Sequence, residues 1–222
     1  MRNILVLGGT GDIGTAIADE FNDVVITAGS NDVNLADRES VRKFIKLTGS
    51  KFDTIIHSAG VNVPGLFVES DIADIEESVQ ANLLGFLPIV KSNIPYWRET
   101  GTGRLVVVSS LYGFTSRAGR LPYVISKHGL IGVVKTLAIE LGPHGVMVNA
   151  VTPGYINTRM TSKNNSPESI EKLTQGIPVG RLGTPKEIAR AVKFLASEDN
   201  TYINGHDLVV DGGYSIGGFQ GK

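Results

Sequence analysis

The order of two hydrophobic patterns along the chain limits the folds that it can adopt. Patterns of helical period cover residues 13–21, 38–47, 72–96, 123–141 and 185–196. Between them lie short apolar runs rich in branched residues, at 4–7, 24–27, 54–57, 105–109, 146–151 and 208–210, with 33–35 as a weaker seventh. Runs of this kind predict strands buried on both faces of a parallel sheet. Strands that alternate with helices therefore predict an α/β fold, a doubly wound parallel sheet of about seven strands.

Length and charge narrow the classes of function. A chain of 222 residues with no internal repeat and no linker fits one domain. Its formal net charge of −1 argues against nucleic acid as a partner, because neutralising phosphates needs a basic face. No apolar run reaches the roughly 18 residues that span a bilayer, and the apolar N-terminal run is too short for a signal peptide. We therefore predict a cytoplasmic protein without a membrane segment.

Residue types limit the chemistry as well. Cysteine is absent, which excludes thiolate nucleophiles and Cys-ligated zinc. The four histidines show no ligand spacing, so we expect no metal site.

A glycine loop, residues 8–14, directly follows the first predicted strand and opens into the first predicted helix. Gly8, Gly11 and Gly14 allow a tight turn, a close approach of backbone to phosphate, and close packing of helix on strand. The helix beyond them offers unpaired N–H groups and a positive dipole end to a pyrophosphate. An ordinary tight turn is the alternative. The position of the loop between strand and helix favours a dinucleotide-binding, Rossmann-type fold.

The end of the second predicted strand bears on which dinucleotide binds. Such folds place an acidic residue there to hold the adenosine ribose. This sequence instead continues through Ser30 and Asn31, and its first acid is Asp32. Because a carboxylate would repel a 2′-phosphate, its absence favours NADP(H). No Lys or Arg follows to bind that phosphate, which leaves NAD(H) open.

Four polar residues form the candidate catalytic set. Tyr123 and Lys127 are four residues apart, so a helix places the phenol and the ammonium on one face. Ser110 follows an apolar strand at the end where ligands of open α/β sheets bind, and Asn82 lies within the long predicted helix. Alone, the Tyr–Lys pair could be an ordinary surface pair on a helix. With its companions it predicts acid–base chemistry.

These residues belong to a longer series of motifs. The series comprises the glycine loop, His57-Ser58-Ala59-Gly60, Ala81-Asn82-Leu83-Leu84-Gly85, Ser109-Ser110, residues 123–127, Asn149-Ala150-Val151-Thr152-Pro153-Gly154 leading to Thr158, residues 179–185, and Asp211-Gly212-Gly213. In this order and spacing the chain resembles the single-domain branch of the short-chain dehydrogenase/reductase family, especially its 3-ketoacyl-(acyl-carrier-protein) reductases. The resemblance is collinear over practically the whole chain. It implies one NAD(P)-binding Rossmann domain over residues 1–222, with a substrate loop at about residues 155–180.

The resemblance also implies the chemistry. A chain of this family is an NAD(P)(H)-dependent oxidoreductase that interconverts a ketone and a secondary alcohol, and we expect a reductase. Tyr123 would be the general acid, and Lys127 would lower the phenol pKa from near 10 and bind the nicotinamide ribose. Ser110 would donate a hydrogen bond to the substrate oxygen, and Asn82 would hold a water that links Lys127 to solvent.

Cofactor contacts follow from the same resemblance, residue by residue. The expected cofactor-binding residues are Gly8, Thr10, Gly11, Asp12, Ile13, Ser30, Asn34, Leu35, Ala59, Gly60, Tyr123, Lys127, Pro153, Gly154, Ile156 and Thr158.

The sequence departs from the family pattern around the cofactor. The glycine spacing is GxxGxxG rather than GxxxGxG, and Asp12 occupies the place of the middle glycine. The observed spacing is commoner in the extended branch of the family, but too few residues follow Lys127 for the substrate domain of that branch. Only residues 30–32 separate the second and third predicted strands, so the helix between them is expected to be absent. Asn34 replaces an aspartate beside the adenine, and His57 and Ser58 replace two asparagines.

Substrate and assembly are less constrained. Ketoacyl reductases dock their acidic carrier protein with basic residues, and Gly101 and His144 stand at those positions here, although Arg104, Arg117 and Arg120 are near. We expect a pocket lined by Leu111, Tyr112, Phe114 and residues 61–66 and 155–175, the last group including a mobile polar loop at 158–167. Such a mix of residues suits a small-molecule substrate that is a medium-sized, partly apolar ketone or secondary alcohol. By resemblance, the outer faces of the helices that contain Asn82 and residues 130–141 would pair in a homo-oligomer, a dimer or tetramer.

Two alternatives remain at this stage. One is a non-catalytic NAD(P)-binding regulator or scaffold, which would be expected to have lost catalytic residues. The other is an NAD-dependent alcohol or sugar dehydrogenase, because the same residues serve both directions of the reaction. The glycine- and tyrosine-rich tail, residues 214–222, is expected to be frayed.

Overall fold

A computed structural model describes residues 1–217 of the chain and shows a parallel sheet with helices on both faces. The strands are β1 (Asn3–Leu7), β2 (Val24–Ala28), β3 (Thr54–His57), β4 (Gly103–Val108), β5 (Val146–Pro153) and β6 (Asp207–Val210). Their order in the sheet is β2-β1-β3-β4-β5-β6, and every neighbouring pair is parallel. This is the predicted doubly wound, Rossmann-type architecture.

Eight α-helices connect or flank these strands in the described part of the chain. They are α1 (Asp12–Asp19), α2 (Arg38–Thr48), α3 (Ile72–Val79), α4 (Leu87–Thr100), α5 (Leu121–Leu141), α6 (Arg159–Asn164), α7 (Pro167–Gln175) and α8 (Pro185–Leu195). One hydrophobic core lies between the sheet and α2, α4 and α5, and a smaller one lies between the sheet and α1 and α8. Within residues 1–217, none of the helices is both long and apolar enough to cross a membrane.

The prediction of a seventh strand at residues 33–35 was wrong. The N–H groups of Asp32 and Val33 donate to the Gly29 carbonyl oxygen, at 3.1 and 3.0 Å, so the chain turns as soon as β2 ends. Val33 and Leu35 are buried in the larger core instead of pairing with β2. Their apolar pattern therefore reflects burial beneath α2 and α4. As predicted, no helix separates residue 28 from residue 33, and β2 forms an edge of the sheet.

The single helix predicted at residues 72–96 is interrupted. A π-helical turn, Gln80–Leu84, separates α3 from α4, and the Gly85 N–H donates to the Gln80 carbonyl oxygen at 2.8 Å. Gly85 also packs against the Leu35 carbonyl oxygen so closely that no Cβ would fit. Pro88 lies in the first turn of α4, where its missing N–H costs no bond. The apolar period continues across the break, although only α4 contributes buried residues to the core and α3 packs against α5.

The polar segment at residues 158–167 is not the loop that we predicted. It forms α6 and the start of α7, and two of its polar residues, Thr158 and Ser166, are the N-caps of these helices. The Thr158 hydroxyl accepts a hydrogen bond from the Thr161 N–H at 3.2 Å, and the Ser166 hydroxyl accepts one from the Ser169 N–H at 3.2 Å. Ser166 followed by Pro167 is a helix-start signal that the sequence analysis did not use.

Candidate active site

The candidate site lies where the chain leaves the carboxyl ends of β1, β3, β4 and β5. There the glycine loop packs directly on the turn that follows β3. Gly8 has a φ of +79°, and a Cβ atom on it would lie 2.5 Å from the backbone nitrogen of Ala59. A Cβ atom on Gly14 would collide with the Gly8 carbonyl oxygen. Glycine at these two positions therefore lets the N-terminus of α1 approach the end of β3.

A cleft of about 610 Å³ runs along this edge of the sheet. Gly11, the N-cap of α1, has no side chain that could bond the first N–H groups of the helix. Uncapped N–H groups beside a backbone without Cβ atoms fit the pyrophosphate of a dinucleotide. The predicted cofactor residues that line this cleft are Gly8, Thr10, Gly11, Asp12, Ile13, Ser30, Asn34, Leu35, Ala59, Gly60 and Thr158.

A smaller cavity of about 160 Å³, the substrate cavity, adjoins the cleft. Ile13, Gly60 and Thr158 line both spaces, so the two are continuous. The predicted residues that line the substrate cavity are Ser110, Tyr123, Lys127, Pro153, Gly154 and Ile156. Asn82 lines the larger cleft instead. The structure thus brings every predicted site residue to one edge of the sheet.

Asp12, at the place of the family's middle glycine, forms a bridge from the glycine loop to α6. Its carboxylate accepts hydrogen bonds from the backbone N–H and the Nε of Arg159, each at 2.7 Å. The Arg159 guanidinium also donates to the Thr10 carbonyl oxygen at 3.2 Å. A carboxylate at a phosphate-binding loop would repel the ligand, and the guanidinium offsets that charge. Sequence spacing could not identify this pair, which is 147 residues apart.

At the adenine end of the cleft, the carboxylate that follows β2 bonds the turn and does not line the cleft. The Asp32 side chain accepts a hydrogen bond from the Gly29 N–H at 2.8 Å, and the Asn34 side chain accepts one from the Ala36 N–H at 3.0 Å. Both groups hold the turn after β2. Ser30 lines the cleft at this point, and Asp32 does not.

Tyr123 and Lys127 lie on the first two turns of α5, and both line the substrate cavity. The Lys127 Nζ donates to the Val108 carbonyl oxygen, at the end of β4, at 2.8 Å and lies 5.3 Å from the centre of the Tyr123 ring. Burial lowers the pKa of Lys127 to about 8, because it disfavours the ammonium.

Burial also raises the pKa of Tyr123 to about 12, and a hydrogen bond with Ser110 opposes that rise. The resemblance to the family implied a lowered pKa for this phenol. In this structure the desolvation of the phenolate outweighs its stabilisation, so the phenol holds its proton at neutral pH. The Ser110 hydroxyl also accepts a hydrogen bond from the Tyr112 N–H at 3.3 Å, which fixes its direction.

Asn82 lies in the π-helical turn and is fully buried. Its side chain accepts from the Val61 N–H at 2.7 Å and donates to the Val61 carbonyl oxygen at 2.8 Å and to the Ser126 hydroxyl at 3.2 Å. Its own carbonyl oxygen lies 2.9 Å from the Nε2 of His57. These contacts hold the turn after β3 against α5. The water relay through Asn82 stays a prediction.

His57 replaces a family asparagine and is fully buried at the end of β3. Its ring stacks on Phe86 at a centroid distance of 4.2 Å. Burial lowers the pKa of His57 to about 3, so the imidazole is neutral. Since Nε2 faces the Asn82 carbonyl oxygen, that nitrogen carries the proton. In the sequence this residue stands out only as a departure from the family pattern. In the structure its hydrogen bond to the Asn82 carbonyl oxygen joins the end of β3 to the π-helical turn.

The lining of the substrate cavity matches the sequence expectation in part. Leu111, Tyr112 and Tyr155 line it, whereas Phe114 does not and is exposed. Arg120, which the sequence analysis considered only for docking a carrier protein, is buried in the cavity wall.

Comparison with known proteins identifies the family. Residues 12–215 match a family model described as enoyl-(acyl carrier protein) reductase. The chain is 36% identical over 214 residues to the 3-oxoacyl-(acyl-carrier-protein) reductase FabG of Aquifex aeolicus, covering 95% of this chain and 86% of that protein. It is 34% identical over 233 residues to the FabG of Rickettsia conorii, covering 96% of each. The structure of ElxO with NADP bound superposes with a TM-score of 0.84 at 29% identity, covering 97% of this chain and 100% of that one.

This chain belongs to the short-chain dehydrogenase/reductase family. It is an NAD(P)(H)-dependent oxidoreductase that interconverts a ketone and a secondary alcohol, as the resemblance implied. The non-catalytic alternative is set aside, because it expected damage at the catalytic positions and all four residues are present at one site.

The buried ammonium of Lys127 should make stability depend on pH. Between a folded pKa of about 8 and the ordinary 10.5, the unfolded chain binds more protons than the folded protein. The free energy of unfolding contributed by this group therefore rises as pH increases through that window. We expect wild type to gain on the order of 2 kcal/mol relative to Lys127→Met between pH 7.5 and pH 10, measured by urea denaturation without dinucleotide. Lys135→Met, on an exposed position of the same helix, is the control. Parallel pH curves for wild type and Lys127→Met would contradict the burial effect.

The bridge between Asp12 and Arg159 should restrain α6 and α7. Arg159→Ala removes the ion pair and the bond to Thr10, so the segment should open more often. We expect a protease that cuts after glutamate to cleave at Glu168 or Glu171 about fivefold faster, the effect of a pair worth about 1 kcal/mol. The control is Arg190→Ala on α8, which removes an ion pair between the Arg190 Nε and the Glu20 carboxylate, 3.8 Å apart. Equal cleavage of both variants and wild type would show that the bridge restrains nothing.

Proposed function

We propose that the chain is an NADP(H)-dependent carbonyl reductase in which Tyr123 donates the proton to the carbonyl oxygen of the substrate. The observation that carries the proposal is the Ser110–Tyr123–Lys127 group beside the cleft of the glycine loop. When bound, the dinucleotide supplies the hydride, and the chain's own residues position the ketone and provide the proton. Ser110 orients the ketone oxygen by a hydrogen bond, which also stabilises the charge that develops there.

The acid–base properties of the site favour reduction. A phenol whose pKa is about 12 keeps its proton at neutral pH, as a general acid must before it acts. Lys127, with a pKa of about 8, carries a charge near neutral pH and lies one helical turn from the phenol. Its ammonium stabilises the phenolate that remains after the proton has been transferred.

NADP(H) is the dinucleotide that the site favours. The nearby Asp32 carboxylate bonds the Gly29 N–H and does not line the cleft, so no acid faces a 2′-phosphate there. ElxO, a structural relative, binds NADP. Calorimetric titration with NADPH and NADH is the direct comparison, and tighter binding of NADH would overturn this choice.

Replacing the phenol tests the mechanism. With NADPH and methyl 3-oxobutanoate or its free acid, Tyr123→Phe should lower kcat by about 10²–10⁴-fold, since only the proton donor is lost. NADPH binding, measured by calorimetry, should persist in this variant. Tyr202→Phe, at a position that is 96% exposed, is the matched control. Normal turnover by Tyr123→Phe would refute the role. A 2-enoyl thioester, which has a carbon–carbon double bond and no ketone, serves as a further control. Reduction of this compound, with no reduction of the ketones, would contradict a carbonyl reductase.

The protein acts as a homo-oligomer in this proposal, a dimer or tetramer. Apolar side chains remain exposed on the helices that the resemblance assigns to subunit contacts, with Leu84 at 43%, Ile125 at 41% and Ile139 at 78%. A second copy packed on these helices would remove that apolar surface from water. Sedimentation should therefore give a mass above the 23.7 kDa of one chain, and a monomer at working concentration would refute the assembly. The cytoplasmic location stays a prediction.

A further inference from the structure

Arg120 stands three residues ahead of Tyr123, at the N-cap of α5, and lines the substrate cavity. Only 7% of the residue is exposed. A guanidinium keeps its charge at any physiological pH, so this position places a permanent positive charge inside the cavity wall, close to the proposed proton donor.

The partners of this guanidinium are few and distant. One Nη donates to the Asn62 side-chain oxygen at 3.3 Å, and the other donates to the Asn164 carbonyl oxygen at 3.5 Å. Within residues 1–217, no carboxylate forms an ion pair with Arg120. Its charge is therefore buried without a counter-charge from the described chain.

Arg104 shows what a satisfied buried arginine looks like in the same protein. It is 8% exposed and lies at the opposite end of the sheet. Its guanidinium donates to the carbonyl oxygens of Gly103, Ser197 and Asn200, at 2.9, 3.2 and 2.9 Å. Equal burial thus comes with three good acceptors at Arg104 and with two long contacts at Arg120. A structural role accounts for Arg104 and leaves Arg120 unexplained.

A second cation strengthens the positive potential of the cavity. Arg117, an exposed residue, lines the same cavity. Burial lowers the pKa of Arg120, and the nearby charge of Arg117 lowers it further because like charges repel. The other titratable groups that act on Arg120 are the phenols of Tyr112, Tyr155 and Tyr123. Among the described residues, the cavity is lined by two guanidinium groups and by no Asp or Glu, so it is complementary to an anion.

The phosphates of the dinucleotide are not that anion. The pyrophosphate site is the glycine loop and the N-terminus of α1, and the cleft along it is lined by the cations Arg159 and Lys163. Arg117 and Arg120 line the substrate cavity and do not line that cleft. The anion that meets Arg120 must therefore be carried by the molecule that reaches Tyr123.

We propose that Arg120, assisted by Arg117, binds a carboxylate of the substrate, so that the enzyme reduces a small keto acid to the hydroxy acid. A planar guanidinium matches a carboxylate through two parallel hydrogen bonds, and burial makes such a pair strong. The volume of about 160 Å³ suits a short acid, because drug-sized ligands occupy about 300–1,000 Å³. This inference rests on the proposed function and specifies its substrate class.

Pairs of substrates that differ only in charge give the first test. We would compare kcat/KM, with NADPH, for 3-oxobutanoate and 4-oxopentanoate against their methyl esters and against acetoacetyl-CoA. The wild type should prefer the acids over the esters by about 10- to 100-fold, the value of a charge-assisted hydrogen bond. Arg120→Gln should reduce this ratio toward one, and Arg42→Gln, on the exposed face of α2, should leave it unchanged. If the wild type shows the same kcat/KM for the esters or the CoA thioester as for the acids, the proposal is overturned without any variant.

Binding without turnover gives the second test. Succinate should bind to the NADP⁺-loaded protein in calorimetry, whereas succinamide, its neutral counterpart, should not. Arg120→Gln should weaken succinate binding by at least tenfold, and Arg120→Lys should restore part of it through the remaining charge. If inorganic phosphate binds through Arg120 and succinate does not, the carboxylate assignment is wrong.

The two tests separate this inference from the proposed function. Reduction of neutral ketones with no preference for acids, together with loss of activity in Tyr123→Phe, would leave the reductase standing and remove the anion subsite. Succinate binding that depends on Arg120, in a protein that reduces none of these ketones, would support the subsite and refute the proposed reductase.

Discussion

The close contact between the glycine loop and the turn after β3 sets the geometry on which the site depends. Because Gly8 and Gly14 lack Cβ atoms, the loop folds onto Ala59 and brings the N-terminus of α1 to the edge where β3, β4 and β5 end. The parallel order of the sheet then carries Ser110 and the start of α5 to the same edge. A side chain at either glycine would displace α1 and separate the cleft along the glycine loop from Tyr123. The geometry of the site therefore depends on close packing that only glycine permits at these two positions.

Burial has opposite effects on the two titratable groups of the site, and the combination suits reduction. Removing water raises the pKa of Tyr123 to about 12 and lowers that of Lys127 to about 8, because each change disfavours the charged form. In the proposed mechanism, the phenol keeps its proton until the ketone is reduced, and the ammonium then stabilises the phenolate. Asn82 and His57 contribute by position. Neutral His57 holds the carbonyl of Asn82, and the Asn82 side chain fixes the turn that follows β3.

Sequence patterns predicted those features that depend on local composition. The six strands could be predicted because burial on both faces leaves a run of apolar residues. The glycine loop and the Tyr123–Lys127 pair could be predicted because positive φ favours glycine and because a helix places residues four apart on one face. The strand predicted at 33–35 was wrong because an apolar pattern indicates that residues are buried but does not show whether a neighbouring strand or a helix buries them. The break at Gly85 depends on contact with Leu35, and the bridge from Asp12 to Arg159 depends on the approach of two distant segments. Such long-range contacts have no local signal.

Arginine illustrates the same limit at the level of function. Arg104 and Arg120 are the same residue type, are equally buried and lie 16 positions apart in a chain that offers no motif to distinguish them. Only the hydrogen-bond acceptors around each guanidinium distinguish Arg104, which has a structural role, from Arg120, which we propose binds a ligand. A buried cation has to be neutralised by some group, and where the chain does not supply it, the cavity indicates the ligand. In the proposed enzyme, the catalytic set therefore follows the family motifs, and charges outside those motifs select the substrate.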